Sequence, residues 1–222
     1  MEIKINEKLI KYNFSSRNGE KIKYLVIHDT DNTSVGANAD AHYHFFNSEY
    51  RDASAHYFID DTQILRIVKD SDKSFHCGDG HGKYGITNEN SIGIEMCVNS
   101  DGNYEKIYNN TLKLTKYQMD KYNIPLECVV RHYDASRKIC PLSMRENNWE
   151  KWKKFKKDIE NMDYSSTNYT KFIRLLYENL FKREPDDEGL KFWNDELENG
   201  LSYGDMLKRI ADSDEFKNIY LK

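Results

Sequence analysis

Three short apolar runs that break abruptly into metal-ligand or acidic residue types constrain this chain more than any other feature. The first, residues 21–27, is rich in β-formers and stops at His28-Asp29-Thr30-Asp31. It reads as a buried strand whose end opens into a polar loop. The second, residues 91–98, is equally apolar but carries a carboxylate, Glu95, in its middle. Burying a carboxylate is costly unless something pairs with it. Period-two alternation puts Glu95 on one face with Gly93 and Cys97, opposite Ile92, Ile94, Met96 and Val98. The third run, residues 127–131, ends at His132.

The segments between these runs alternate in character. Residues 37–50 and 108–122 read as helices, the second stopped by Pro125. Residues 55–59 and 63–68 read as strands joined in a tight hairpin at Asp60-Asp61-Thr62, ahead of a Gly-rich loop over residues 77–85. Trp149, Trp152, Phe155, Ile159 and Met162 recur at helical spacing and close a first domain, residues 1–163. Residues 163–168 are small and polar and form a candidate linker.

Residues 164–222 then form a second, all-α domain. Four short helices are expected over residues 169–182, 186–199, 202–211 and 213–221, broken by Pro185 and by Gly200 in a helix-ending position. Phe172, Leu175, Leu176, Leu180, Leu190, Trp193, Leu197, Leu207, Ile210 and Phe216 supply a small core. This tail has neither His nor Cys, so it cannot provide a metal site of that kind.

Overall composition narrows the partners. The 222 residues are 38% apolar with a formal charge of −4, so no basic field draws the chain onto nucleic acid. No run is long and apolar enough to span a bilayer, and residues 1–13 lack the apolar core of a signal peptide. Synthesis in the cytoplasm without a signal peptide is therefore expected. The four cysteines are widely spaced without a CxxC pair, so reduced thiols are the default and any of them is free to act as a ligand.

The chemistry concentrates in Arg131-His132-Tyr133-Asp134-Ala135-Ser136-Arg137-Lys138-Ile139-Cys140-Pro141, where a cysteine follows the strand-end histidine eight residues later. A loop of that length can fold both side chains onto one point. A catalytic zinc site uses three ligands from the His, Cys and carboxylate set and leaves a fourth position open. His28 is the natural third ligand. His42 and His44, two apart on a helix, point to different sides, and His81 is an ordinary loop residue.

The strings Leu-Val-Ile-His28-Asp-Thr, Ser-Ala-His56-Tyr-Phe-Ile-Asp, Asn-Ser-Ile-Gly-Ile-Glu95 and Arg-His132 through Lys138-Ile-Cys140-Pro resemble, in that order, the type 2 N-acetylmuramoyl-L-alanine amidases. This family includes phage endolysins, bacterial autolysins and peptidoglycan recognition proteins. The resemblance covers residues 22–162 and implies an α/β fold with a mixed central β-sheet flanked by helices. It implies one zinc ion held by His28, His132 and Cys140. The implied reaction is hydrolysis of the amide between N-acetylmuramic acid and L-alanine of bacterial peptidoglycan, with water activated at the metal as nucleophile.

Glu95 fits the duty of general base, since a carboxylate beside the metal can take the water's proton and pass it to the leaving amine. Lys138 matches a family position whose cation lies near the developing oxyanion. His56 stands where many relatives carry tyrosine, and either side chain can donate to the same oxygen. His76, in Phe-His-Cys-Gly, resembles a family string that borders the substrate groove, with Phe75 in place of the usual tryptophan.

The tail, with Phe172-Ile-Arg-Leu-Leu-Tyr and Arg183-Glu-Pro-Asp, resembles a short helical module of surface proteins. Wall attachment or self-association is the expected role. An endolysin acting on the wall after release fits the missing signal peptide better than a secreted autolysin of the same chemistry. Richness in Lys, Asn, Ile and Tyr with only 3 prolines points to a low-GC, clostridia-like Gram-positive host. Two rival classes stand beside this reading, namely a non-catalytic peptidoglycan-binding module and a metal-free thiol hydrolase using Cys140 and His132.

Overall fold

The computed structural model describes the backbone of residues 3–220 and the side chains of all of these except 163–168 and 171. The chain divides into two compact units, Met1–Ile159 and Glu160–Lys222.

Among the described residues the first unit has eight strands: β1 Asn6–Glu7, β2 Phe14–Ser16, β3 Tyr24–Asp29, β4 Tyr57–Ile59, β5 Ile64–Arg66, β6 Asp72–Ser74, β7 Ser91–Met96 and β8 Val129–Arg131. Six of them form one sheet in the order β1-β5-β4-β7-β3-β8. Only the β4–β5 hairpin pairs antiparallel within it, so the sheet is mixed, as expected. β2 and β6 make a separate antiparallel ribbon. The central strands β3 and β7 are covered on both faces, which is why they read as nearly continuous apolar runs.

On one face Leu25, Ile27, Ile92, Ile94 and Met96 are fully buried, with α2, Tyr104–Tyr122, against β3, β4 and β7. Each such side chain contributes roughly 1.5–3 kcal/mol by leaving water. α2 starts four residues earlier than the periodicity indicates, because the Asn103 side chain accepts from the Lys106 N–H and caps it. On the other face α1, Ala39–Ser48, packs Tyr43 and Phe46 against a cluster containing Phe58, Leu65 and Ile67. The hairpin turn is fastened by Asp60, whose Oδ1 accepts from the Thr62 and Gln63 amides while Oδ2 accepts from the amide of Ala39. A short α3, His132–Ser136, follows β8 directly.

α4, Glu146–Phe181, opens with positive φ at Asn147, Asn148 and Trp149. Its backbone is helical through residues 163–168 as well, where the sequence reads as a polar linker. Ser, Thr and Asn each cost only a few tenths of a kcal/mol in a helix, too little to stop one already propagating. α5, Asp187–Glu198, α6, Tyr203–Asp212, and α7, Asp214–Tyr220, complete the second unit. Gly200 holds φ +96° just beyond α5. The core there is Ile173, Trp193, Leu197, Met206 and Ile210. Leu175 and Leu207, expected inside, are 60% and 42% exposed. Helical neighbours Ile173 and Met206 take the inward positions instead. No helix among the described residues is long and apolar enough to cross a membrane.

Candidate active site

Strand register assembles the site. His28 on β3 pairs with Glu95 on β7, and residues so paired project from the same face. β3 also pairs with β8, Ile27 opposite Arg131, which brings the next residue, His132, level with His28. The two rings lie 4.6 Å apart, centroid to centroid. α3 then turns the chain back, with Arg137 in the left-handed conformation at φ +74°. The Tyr133 amide donates to the Cys140 carbonyl at 3.1 Å and closes that loop. As a result Cys140 Sγ lies 3.8 Å from His28 Nδ1. His28, His132 and Cys140 each offer one ligand atom within 4.8 Å of the others, and all three are buried.

Hydrogen bonding fixes which nitrogen of His28 is free. The Ser91 hydroxyl donates to the Thr87 carbonyl, so its oxygen accepts from His76 Nε2–H at 3.0 Å. His76 Nδ1 is then an acceptor, and it takes the Nε2–H of His28 at 3.0 Å. The lone pair of His28 is left on Nδ1, facing Cys140. His132 Nε2 lies 2.8 Å from Asp79 Oδ1, which likewise leaves Nδ1 of His132 without a proton. Burial holds both imidazoles below their usual pKa, His28 far below and His132 against the pull of Asp79. Neutral rings are what a metal ligand requires.

Glu95 completes the cluster. Its Oε1 is 3.9 Å from His28 Nδ1 and its Oε2 is buried without a hydrogen-bond partner. Burial, reinforced by neighbouring Asp29, pushes its carboxyl up to about 8. Asp29 in turn accepts from the Ser143 amide at 2.5 Å. A cleft of about 440 Å³ opens over these groups. Asp29, Glu95, Lys138 and Cys140 line its polar side, and Phe45, Phe46 and Phe58 its apolar side. The donor set suits zinc: two neutral imidazoles and a thiol in a buried triangle, beside an acid with an orphaned oxygen.

Not every expected site residue reaches the cleft. His56 is fully buried. Its Nδ1 accepts from the Gly93 amide at 3.0 Å, and its Nε2 faces Arg17 and the Asp72 carbonyl. Both nitrogens are thus engaged by the protein, which corrects the expectation that it donates to the reacting oxygen. His76 needs the same correction: its ring is spent on His28 and Ser91 beneath the site and does not border a groove. His42 stacks on Phe58 at the cleft's apolar end, whereas His44 and His81 are exposed.

Two other members carry no local signal in the sequence. Asp79 sits in the Gly-rich loop, where an acid reads as solvated. Arg17, 4% exposed, donates to the carbonyls of Asp70, Asn88, Glu89, Ser91 and Asp72 and so ties β7 to the β6 region.

Cys140 is 5% exposed, and burial together with Glu95 pushes its thiol up. A nucleophilic thiolate needs the opposite environment. The surroundings of Cys140 are not those of an activated thiol.

Comparison with known proteins agrees. Residues 18–143 match the profile of the family described as N-acetylmuramoyl-L-alanine amidase, and the chain belongs to that family. Residues 149–220 match a domain of unknown function. The chain is 38% identical over 130 residues to the N-acetylmuramoyl-L-alanine amidase XlyA of Bacillus subtilis, covering 59% of this chain and 42% of XlyA. It is 36% identical over 140 residues to the amidase CwlH of the same organism, covering 63% of this chain and 54% of CwlH. The chain thus spans about half the length of these curated relatives. The solved catalytic domain of XlyA superposes with a TM-score of 0.63 at 34% identity, covering 71% of this chain and 99% of that domain.

Proposed function

We propose that this chain is a zinc-dependent N-acetylmuramoyl-L-alanine amidase that cuts the amide between N-acetylmuramic acid and L-alanine of bacterial peptidoglycan. The observation that carries it is the juxtaposition, along one cleft wall, of Glu95, Lys138 and Cys140 beside His28 and His132. His28, His132 and Cys140 would hold the zinc. When bound there, zinc supplies Lewis acidity to the scissile carbonyl and to the attacking water.

The protein's own groups do the rest. Glu95 takes the proton of the attacking water and returns it to the leaving amine. A carboxyl raised to about 8 by burial comes down toward neutral pH beside a cation, which suits a group that must both accept and donate. Lys138, exposed at the cleft, faces the oxyanion that develops on the carbonyl and stabilises it more than the neutral amide. His56 acts as a positioning residue, held under Gly93 by Arg17 and Ser74.

Residues 1–163 form the catalytic domain in this reading. Residues 164–222 are a wall-binding or self-associating module. The biological role that fits is a phage endolysin acting on the wall of a clostridia-like Gram-positive host.

The test is chemical. Purified cell walls digested with the protein should gain free L-alanine amino termini and no new reducing sugars. Reducing ends without new amino groups identify a glycosidase and defeat the proposal.

A further inference from the structure

Both histidines of the cluster are gripped from behind by a single short segment. His76 accepts the Nε2–H of His28, and Asp79, three residues on, faces Nε2 of His132 at 2.8 Å. This segment is itself fixed at several points. The Asn88 side-chain oxygen accepts from the amides of His76 and Cys77. Gly80 lies so close to α3 that an added Cβ would sit 2.2 Å from the Ala135 carbonyl oxygen. Gly93 leaves the room above β7 that the His76 ring fills. Asp79 is not among the three residues whose ligand atoms cluster, and it approaches His132 from the Nε2 side.

We propose that residues 76–79 are the outer shell of the metal centre, with His76 and Asp79 as positioning residues that set the tautomers and orientations of His28 and His132 for zinc. A ligand imidazole with its second nitrogen engaged presents a single lone pair in a fixed direction. A carboxylate behind it also makes it more basic. Loss of such a partner typically weakens metal binding about 10–100-fold. His76 lies two strands away from His132, yet only three residues from the group that holds it. One loop therefore couples the two ligands, and displacement of the loop loosens both.

This inference rests on the zinc reading, and the experiment separates the two. Zinc affinity of the full chain is measured by competition with a chromophoric chelator, alongside the visible spectrum of the cobalt-substituted protein. Wild type should bind one zinc. Asp79→Ala and His76→Leu should each weaken it about 10–100-fold and alter the cobalt spectrum. Asp79→Asn and His76→Asn, which keep an acceptor oxygen near the lost one, should recover part of the affinity.

Asp79 is 48% exposed, so its replacement should leave the metal-free melting temperature unchanged, a result that a merely structural role does not give. Should His76→Leu fail to fold, Ser91→Ala, which removes the acceptor for His76 together with the donor to the Thr87 carbonyl, should still weaken zinc. Wild type without zinc overturns the metal reading and this inference with it. Stoichiometric wild-type binding with unchanged affinity in Asp79→Ala and Ser91→Ala overturns the outer shell alone.

Discussion

Glu95 Oε1 stands 3.9 Å from His28 Nδ1 because the two residues are register partners on adjacent parallel strands. The proposed base and the proposed ligand are thereby set by backbone pairing and not by loop conformation. Replacing Glu95 with Gln keeps the shape and removes the proton acceptor. Glu95→Gln should retain zinc while kcat on cell walls falls about 10²–10⁴-fold. Retention of full kcat, with metal content checked by atomic absorption, removes Glu95 from the mechanism.

The proposed cysteine ligand should tolerate a change of atom but not its loss. Cys140→Asp keeps an anionic donor of similar reach and should bind zinc more weakly yet measurably. Cys140→Ala should bind none and lose lysis. Equal zinc content in the two variants, by elemental analysis after dialysis, counts against Cys140 as a ligand.

Gly93 is required by the ring above it. A Cβ there would lie 2.6 Å from His76 Cγ and 2.8 Å from its Nδ1. The ring is held on two sides and cannot simply step back. Gly93→Ala should therefore destabilise the fold by about 1–3 kcal/mol and weaken zinc together. Urea unfolding monitored by tryptophan fluorescence reads the first effect, and chelator competition the second.

Burial of His56 predicts a pH-dependent stability. Desolvation, helped by the Arg17 cation, depresses its pKa from 6.5 to about 4. The folded state holds the ring neutral while the unfolded chain protonates it below pH 6.5. Its contribution is complete above that pH and is lost progressively as the pH falls toward 4. The loss amounts to about 3 kcal/mol. His56→Asn, which keeps an acceptor for the Gly93 amide, should flatten this part of the curve. Parallel pH profiles of unfolding free energy for wild type and variant would contradict the assignment.

The helical tail should be separable from the chemistry. A chain ending at Asp163 keeps the whole of the first compact unit, Met1–Ile159, with the Trp152, Phe155 and Ile159 contacts that close its core. It should fold, bind zinc and cleave soluble muropeptides as wild type does, while lysing whole cells less well or changing in oligomeric size. Loss of zinc on truncation makes the tail part of the catalytic fold.

The convergence of His28, His132 and Cys140 was foreshadowed in the sequence because strand ends mark themselves: an apolar β-run that stops at a histidine fixes where that side chain emerges. Cys140 joined His28 and His132 only through the ordered set of strings, each weak by itself, and Glu95 announced itself by the cost of placing a carboxylate among Ile92, Ile94 and Met96. The duties of His56 and His76 were not legible. Each lies in a string with a functional look, and only the tertiary structure shows that Arg17, Ser74 and the Gly93 amide take up one ring, while His28 and Ser91 take up the other. Arg17 and Asp79 gave no local signal at all, since their side-chain partners are 39 or more residues away. The same limit applied to the tail, where helical spacing located the apolar stripe but not whether Leu175 or Ile173 turns inward. Sequence periodicity determines which faces are apolar and which chemistry can exist. The direction of a polar side chain depends on partners that only the folded chain brings within hydrogen-bonding reach.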